Sequence, residues 1–437
     1  MRDLLVGFIV FGSLPFVLRR PFWGIVMLAG LGYMNPHRLC YGFMLEMPVV
    51  QIVAIVTLLG MLISQEEKRI VWSREIWILL LFVAWMGVTT TQAVYRDLAV
   101  QQLEKVVKIQ ILTFMTLLML TSRERVHILV WTIVVSLGFY GIKGGIFTII
   151  HGGVHRVQGP QGSFIGGNNE MALALVMTIP LMRYLQLHEA SWWIRRGLAA
   201  AMLLTAIAAV GSQSRGALIA LVITGSYFWW KSRNKIGATV LLGIVILGVL
   251  AIMPPEWYER MNSIRDYEQD GSAQGRINAW WTAWNVANDR LLGGGFEMWH
   301  SYVFSLYAPE PNNVHDAHSI YFKVLGEHGW IGFAIFMFIW AYTWSRCRRI
   351  IRLADDSEDG RAQALLARMI QVSLIGFAVG GAFVNIGNWD MDYYLMISAL
   401  ATGRIVERQA AARKATAARE RTAARPTAFG RPASRPG

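Results

Sequence analysis

Apolar residues fall in long blocks separated by short polar breaks. Blocks at 48–63, 75–92, 105–120, 126–149, 170–187, 197–211, 214–230, 236–254, 329–345, 365–385 and 391–403 each read as a membrane span or most of one. Two shorter blocks, 3–18 and 21–34, are divided by Arg19, Arg20 and Pro21. A span needs roughly 20 residues to cross a bilayer core, and shorter ones fit inside a bundle. Backbone groups in lipid must be satisfied within the protein, so the blocks predict helices. The ten-residue alternation of a barrel is missing. The pattern predicts an all-α polytopic membrane protein with about 12 (12–13) transmembrane helices. No small-x-small cleavage site precedes Arg19-Arg20-Pro21, so the first block is expected to stay.

The breaks set an orientation. Those at 64–75, 121–126, 188–196, 231–235 and 346–361 are rich in Lys and Arg, and alternation puts them on one side with the tail after Arg404. Basic short loops stay in the cytoplasm. The breaks at 35–47, 93–104, 150–169, 211–214, 255–317 and 386–390 then face the periplasm. The expected organisation is a transmembrane domain over 1–405 with a partly helical periplasmic loop, 255–317, inserted in it. Residues 406–437, rich in Ala, Arg and Pro, are expected to form a disordered basic cytoplasmic tail. Within the loop, 278–287 reads as a helix ended by Gly293-Gly294-Gly295. Pro311-Asn312-Asn313 reads as the start of another, with His318, Tyr321, Phe322 and Leu325 on one face and breaks at Gly326 and Gly329.

Composition agrees with this reading: 54% of the 437 residues are hydrophobic and 16% charged, against about a quarter charged in soluble domains. The net charge of +13 is largely the loop asymmetry. It implies some affinity for anionic lipid and no nucleic-acid partner. Cys40 and Cys347 fall near opposite faces, so no disulfide is expected.

Charged groups at a membrane surface are expensive and draw attention first. Arg215, in Gly211-Ser212-Gln213-Ser214-Arg215-Gly216, sits between two spans with almost no loop around it. It either snorkels or forms an anion site, since a guanidinium makes paired hydrogen bonds to phosphate. Residues 150–169 carry Arg156 and many glycines before a helix that opens near Asn169 and Glu170, as an anion cradle or a plain turn would. Arg265 and Arg276 lie in the long loop as surface residues or phosphate ligands. Asp266, Glu268, Asp270 and Gly271 begin like a calcium loop, but Ile277 stands where the closing acid belongs. His315 and His318, three apart, are structural, metal-ligating or, for one of them, a general base. No third metal ligand has obvious spacing, and no metal is expected. Lys143 is the best candidate for the buried charge a transporter would need.

Taken together, these motifs resemble the O-antigen ligase family, within the larger group that includes O-antigen polymerases. The resemblance rests on Ala317-His318-Ser319-Ile320-Tyr321 followed by Gly326 and Gly329-Trp330-Ile331-Gly332. It rests also on Ser214-Arg215-Gly216-Ala217, on Gly275-Arg276 with Trp280 and Gly293-Gly294-Gly295-Phe296, and on Asn169-Glu170-Met171-Ala172. Ser319 stands where asparagine is common in the family. Tyr33-Met34-Asn35-Pro36-His37-Arg38-Leu39 looks most like the branch called exosortase-associated O-glycosylation ligases. The resemblance implies a metal-independent, inverting glycosyltransferase without cofactor, in the bacterial inner membrane with its site facing the periplasm. Its donor is a glycan on undecaprenyl pyrophosphate and its acceptor a sugar hydroxyl of lipid A-core, for lipopolysaccharide biosynthesis. Carried over residue by residue, Arg215 and Arg276 neutralise the leaving pyrophosphate and His318 takes the acceptor proton. Arg265, Arg156, His315 and Asn169 are expected around the substrate. Trp280, Trp281, Trp284 and Trp299 either stack on sugars or anchor in the interface. A polymerase or a protein O-oligosaccharyltransferase would use the same donor, and a transporter or flippase is the alternative from another class.

Overall fold

In a computed structural model, residues 1–69, 72–232, 234–262, 271–385 and 389–423 are described. Among these the regular structure is helical. The helices are α1 (Arg2–Arg19), α2 (Pro21–Met34), α3 (Val49–Ile63), α4 (Arg74–Thr91), α5 (Arg96–Met119) and α6 (Arg123–Ile150). They continue as α7 (Asn168–His188), α8 (Trp192–Gly211), α9 (Arg215–Lys231), α10 (Lys235–Ile252) and α11 (Pro255–Asn262). The last five are α12 (Gly271–Asp289), α13 (Ser301–Tyr307), α14 (Ile320–Leu353), α15 (Glu358–Gly380) and α16 (Asp390–Ala423).

Each expected span falls on a helix, but among the described residues seven are long and apolar enough to cross a membrane. They are α4, α6, α7, α8, α10, α14 and α15 with its 3-10 extension to Phe383. The others fall short for visible reasons. Glu104, Lys105 and Lys108 dilute α5, whereas α2 and α3 are apolar but short. The bundle is built around α7, which packs on α6, α8, α9 and α15. Across α6 and α8 the backbones nearly touch: a Cβ on Gly145 would lie 2.3 Å from the Leu204 carbonyl oxygen. Small residues allow such packing where no hydrophobic effect drives helices together. By contrast, none of the apolar window of α10 is buried, so this helix lies at the bundle's edge.

Contacts gather several of the breaks at two ends. At one end, Arg125 pairs with Glu66 (2.6 Å), Arg346 with Glu75 (2.9 Å) and Glu407 (2.8 Å), Arg123 with Asp359 and Arg413 with Asp355. This end gathers the breaks at 64–75, 121–126 and 346–361 with the C-terminal helix. At the other end, the Val157 amide donates to Gly211 (3.1 Å), that of Val94 to Gly294 (2.9 Å), and the Arg290 guanidinium to Gln92 (2.8 Å).

Three expectations need correction. Among the described residues, which omit 263–270, the 255–317 insertion is more helical than the expected loop. It holds α11, α12 and α13, and Ala279, Ala283, Val286, Met298, Val303 and Phe304 form a core of their own. The helix expected from Asn313 begins instead at Ile320, and Gly326 does not interrupt it; Gly329 does, at φ 65 and ψ −174. Glycines 293–295 fill that break, their amides at 294 and 295 donating to Gly326 and Glu327 (2.8 and 2.9 Å). The basic tail expected to be disordered is helical as far as Ala423. Its Ala, Arg and Glu content favours helix, and Arg413 ties it to Leu353 and Asp355.

Candidate active site

His318 lies next to the end of a non-helical stretch, 308–319, that α12 holds from one side. The Asn278 amide nitrogen donates to the carbonyls of Glu310 and Asn313 (both 2.9 Å), and its oxygen accepts from the Glu310 amide (2.9 Å). Two residues on, the Trp280 indole donates to the Ala317 carbonyl (2.8 Å) while its ring stacks on Phe322 (5.0 Å). These bonds fasten 308–319 to α12 in a non-helical path ahead of α14. The lack of a side chain at Gly275 admits the His315 ring, since a Cβ there would lie 2.6 Å from His315 Nδ1. Between these anchors His318 adopts φ 43, a left-handed conformation uncommon outside glycine. Such backbone persists where its surroundings over-determine it.

The His318 imidazole is half-buried, and burial pushes its pKa below the ordinary 6.5. The cation on Arg276 lowers it further, and Lys323 adds a smaller push; Asp316 and Glu170 act the other way. Among the described residues its buried Nδ1 has no hydrogen-bond partner. A neutral imidazole at pH 7 with a ring nitrogen uncommitted can accept a proton. Arg276 on α12 and Glu170 on α7 are thereby neighbours of His318, although 42 and 148 positions separate them in sequence.

A second group surrounds the turn between α8 and α9. Gln213, at φ 57, bonds the carbonyls of Gly153 (3.0 Å) and Val154 (3.3 Å) through its side-chain nitrogen. Its side-chain oxygen accepts from Arg156 Nε (3.3 Å), and its backbone carbonyl accepts from Arg260 Nε (3.0 Å). Arg215 Nε donates to the Arg260 carbonyl (3.0 Å). Three guanidiniums therefore converge on one turn, each oriented through Nε. The start of α7 links this group to the histidine. Asn168 donates to the Ser212 carbonyl (3.0 Å), while Glu170, two residues on, is a neighbour of His318. A second link runs behind α9: Gly216 packs on Phe383, and Gly381 packs on Ile320, two residues past His318.

Arg276 and His318 thus come together, as do Arg215 and Arg156. Asn169 is half-buried, and its neighbour Asn168 makes the bond to the turn. His315 is exposed on Gly275, and the helical face expected to pair it with His318 does not form. Arg265 and the acidic residues at 266–270 lie outside the described residues. No group of three metal-ligating side chains exists among the described residues. Lys143 is exposed on α6. Trp280 and Trp299 serve structural bonds, to Ala317 and Glu327 (3.1 Å), while Trp281 and Trp284 are exposed.

Sequence reading missed Glu170 and Arg260 as site residues. It also missed a buried ion network beside His318. Lys323 lies 3.9 Å from Asp316 and 3.6 Å from Glu327, and Asp316 also accepts from the Asn385 amide. The i, i+4 spacing of Lys323 and Glu327 on an apolar helix was the one available signal.

Fold and site together define a multi-pass helical membrane protein whose histidine and arginines gather at one end of the bundle. Residues 200–337, which include Arg215, Arg276 and His318, match the family described as O-antigen ligase (Wzy_C). The match supports a place in the O-antigen ligase superfamily and a glycan-transfer function. Residues 1–190 match a family of unknown function, DUF5935. No curated protein matched the chain.

Proposed function

We propose that this protein is an O-antigen ligase. It transfers a glycan from undecaprenyl pyrophosphate to a sugar hydroxyl of lipid A-core at the periplasmic face of the inner membrane. The observation that carries the reading is a half-buried, neutral histidine beside Arg276, at the same end of the bundle as the turn bearing Arg215. His318 takes the proton of the acceptor hydroxyl as its oxygen attacks the anomeric carbon. The bond from that carbon to the pyrophosphate oxygen breaks on the opposite face, so the configuration inverts. Charge then grows on the departing lipid pyrophosphate, where Arg215 and Arg276 neutralise it without needing a metal. Arg156 and Arg260 add to the positive field around the turn, and Arg265 is proposed to join them from its place in the loop. His315 and Asn169 are proposed to border the substrate. The cation-rich end, with Arg123, Arg346 and Arg413, is cytoplasmic in this reading.

A deletion strain tests the reaction class. The ligase reading predicts that lipid-linked polymer persists while lipopolysaccharide ladders disappear. Single unpolymerised repeats on lipid A-core would mark a polymerase instead. Loss of glycoprotein with intact lipopolysaccharide would mark a protein transferase.

A further inference from the structure

An apolar stripe runs along α14 beyond the break at Gly329. Trp330, Ile331, Met337 and Phe338 are exposed on it. Their spacing puts them on one helical face, the face that a span turns to lipid. The stripe continues past the break onto α12. The Trp330 ring meets Trp284 edge-on (5.0 Å), and its indole donates to Asn288 (3.0 Å), one turn further along α12. Trp281, one turn before Trp284, is exposed, and so is Leu291 just past the end of α12. The Leu291 carbonyl packs against Gly329 at the break itself. The opposite side of α12 is buried, at Asn278, Ala279, Ala283 and Val286.

Height along the span decides what covers this stripe. Arg346 marks the far edge of the span, where it pairs with Glu75 and Glu407. The 16 residues from Trp330 to Arg346 rise about 24 Å, less than the roughly 30 Å of a hydrocarbon core. Trp330 therefore stands at or inside the near boundary of that core, and any tilt only sets it deeper. Trp284 touches it there. Trp281 lies about 4.5 Å further along α12, within the roughly 5–7 Å of interface on each side of the core. Tryptophan favours that zone because its ring is apolar and its N–H is polar.

We propose that α12 docks on the membrane leaflet at this end of the bundle, with Trp281, Trp284 and Leu291 seated among lipid head groups and upper acyl chains. The occupant is the bilayer itself, since a soluble glycan or protein would have to displace lipid from around Trp330 to cover Trp284. The inference rests on α14 crossing the membrane and goes beyond the ligase reading. It makes α12 the link between the bilayer and the stretch leading to His318, which α12 holds through Asn278 and Trp280. Arg276, five positions before Trp281, is thereby kept at a fixed height over the membrane.

The test uses the full-length protein in lipid nanodiscs, with bimane attached at Trp281→Cys or Trp284→Cys. Cys40 and Cys347 are buried and leave the label to the introduced site. A phospholipid with a nitroxide high on its acyl chain is expected to quench either label about twofold or more, and aqueous iodide hardly at all, as for a helix lying in the interface. Asn312→Cys, in the stretch on the other side of α12, should show the reverse. Labels at 281 and 284 that respond as the one at 312 does overturn the proposal. Iodide quenching relieved by a soluble oligosaccharide would also overturn it, by marking a sugar platform. Shielding from both quenchers would do so too, by marking a protein partner or a second copy. In the unmodified protein, a phospholipid bearing a diazirine near its head group should label the peptide spanning 281–291. Label on 330–338 with none on 281–291 counts against the docking.

Discussion

At His318, burial and the Arg276 cation act in the same direction, keeping the imidazole neutral. The sign of the pH dependence follows. The neutral form is the active base, and its pKa lies below the ordinary 6.5, so transfer should hold as pH falls through 6.5 and fail only below it. Arg276→Gln removes a cation that opposes protonation, so the acid limb of kcat/KM should move to higher pH. The same change should lower kcat by about 10²–10³, the usual cost of losing a preorganised charge. A pH–rate profile of the two proteins checks both; an unmoved acid limb would separate Arg276 from the histidine. Arg276 and His318 were singled out in the sequence by the resemblance of their motifs to the family, and the structure brings the two together. Glu170 and Arg260 were not singled out, because their roles come from contacts across the bundle. Glu170 looked like an ordinary residue in the first turn of a helix, and Arg260 like one more surface cation.

Helices themselves were easier to read than their ends. Every apolar block falls on a helix, since hydropathy and internal hydrogen bonding are properties of the segment alone. Ahead of α14, a distant residue, Asn278, fastens the Glu310 and Asn313 carbonyls in a non-helical path, tertiary bonding that the local pattern around Asn313 does not show. Gly329 was correctly read as a break, and the structure gives the reason. Its φ is 65, and a Cβ there would lie 2.4 Å from the Leu291 carbonyl oxygen. Gly329→Ala should therefore destabilise the fold by more than about 1 kcal/mol, lowering the thermal midpoint in detergent. A midpoint equal to wild type would mean that the break is not a constraint.

Across the whole molecule, charge is divided between two ends with different tasks. One end is stapled by ion pairs, with Arg346 between Glu75 and Glu407, and the Arg346 and Glu75 side chains largely buried. Removing one partner of a buried pair costs about 3–5 kcal/mol, because the other charge is left uncompensated. Arg346→Ala should accordingly lower the thermal midpoint strongly while any folded fraction keeps its KM for donor. A raised KM without loss of stability would place Arg346 at the site instead. The other end carries the candidate site, where Arg156, Arg215 and Arg260 are held through Nε by backbone and amide oxygens. Alternation of basic and non-basic breaks grouped 64–75, 121–126 and 346–361 together, and ion pairs join these breaks and the C-terminal helix. Among the described residues seven helices have membrane length and apolarity, and burial in a bundle lets shorter or charge-diluted helices stand beside them.

His318 is proposed to be the base of a glycan transfer to lipid A-core. The most direct measurement is ligation in vitro with purified protein, polyprenyl-pyrophosphate-linked glycan and lipid A-core. Wild type should form the ligated product with chelator present. His318→Ala should lose about 10²–10⁴-fold in rate, the range of general base catalysis, with donor binding retained. A His318→Ala protein that ligates at the wild-type rate would contradict the account.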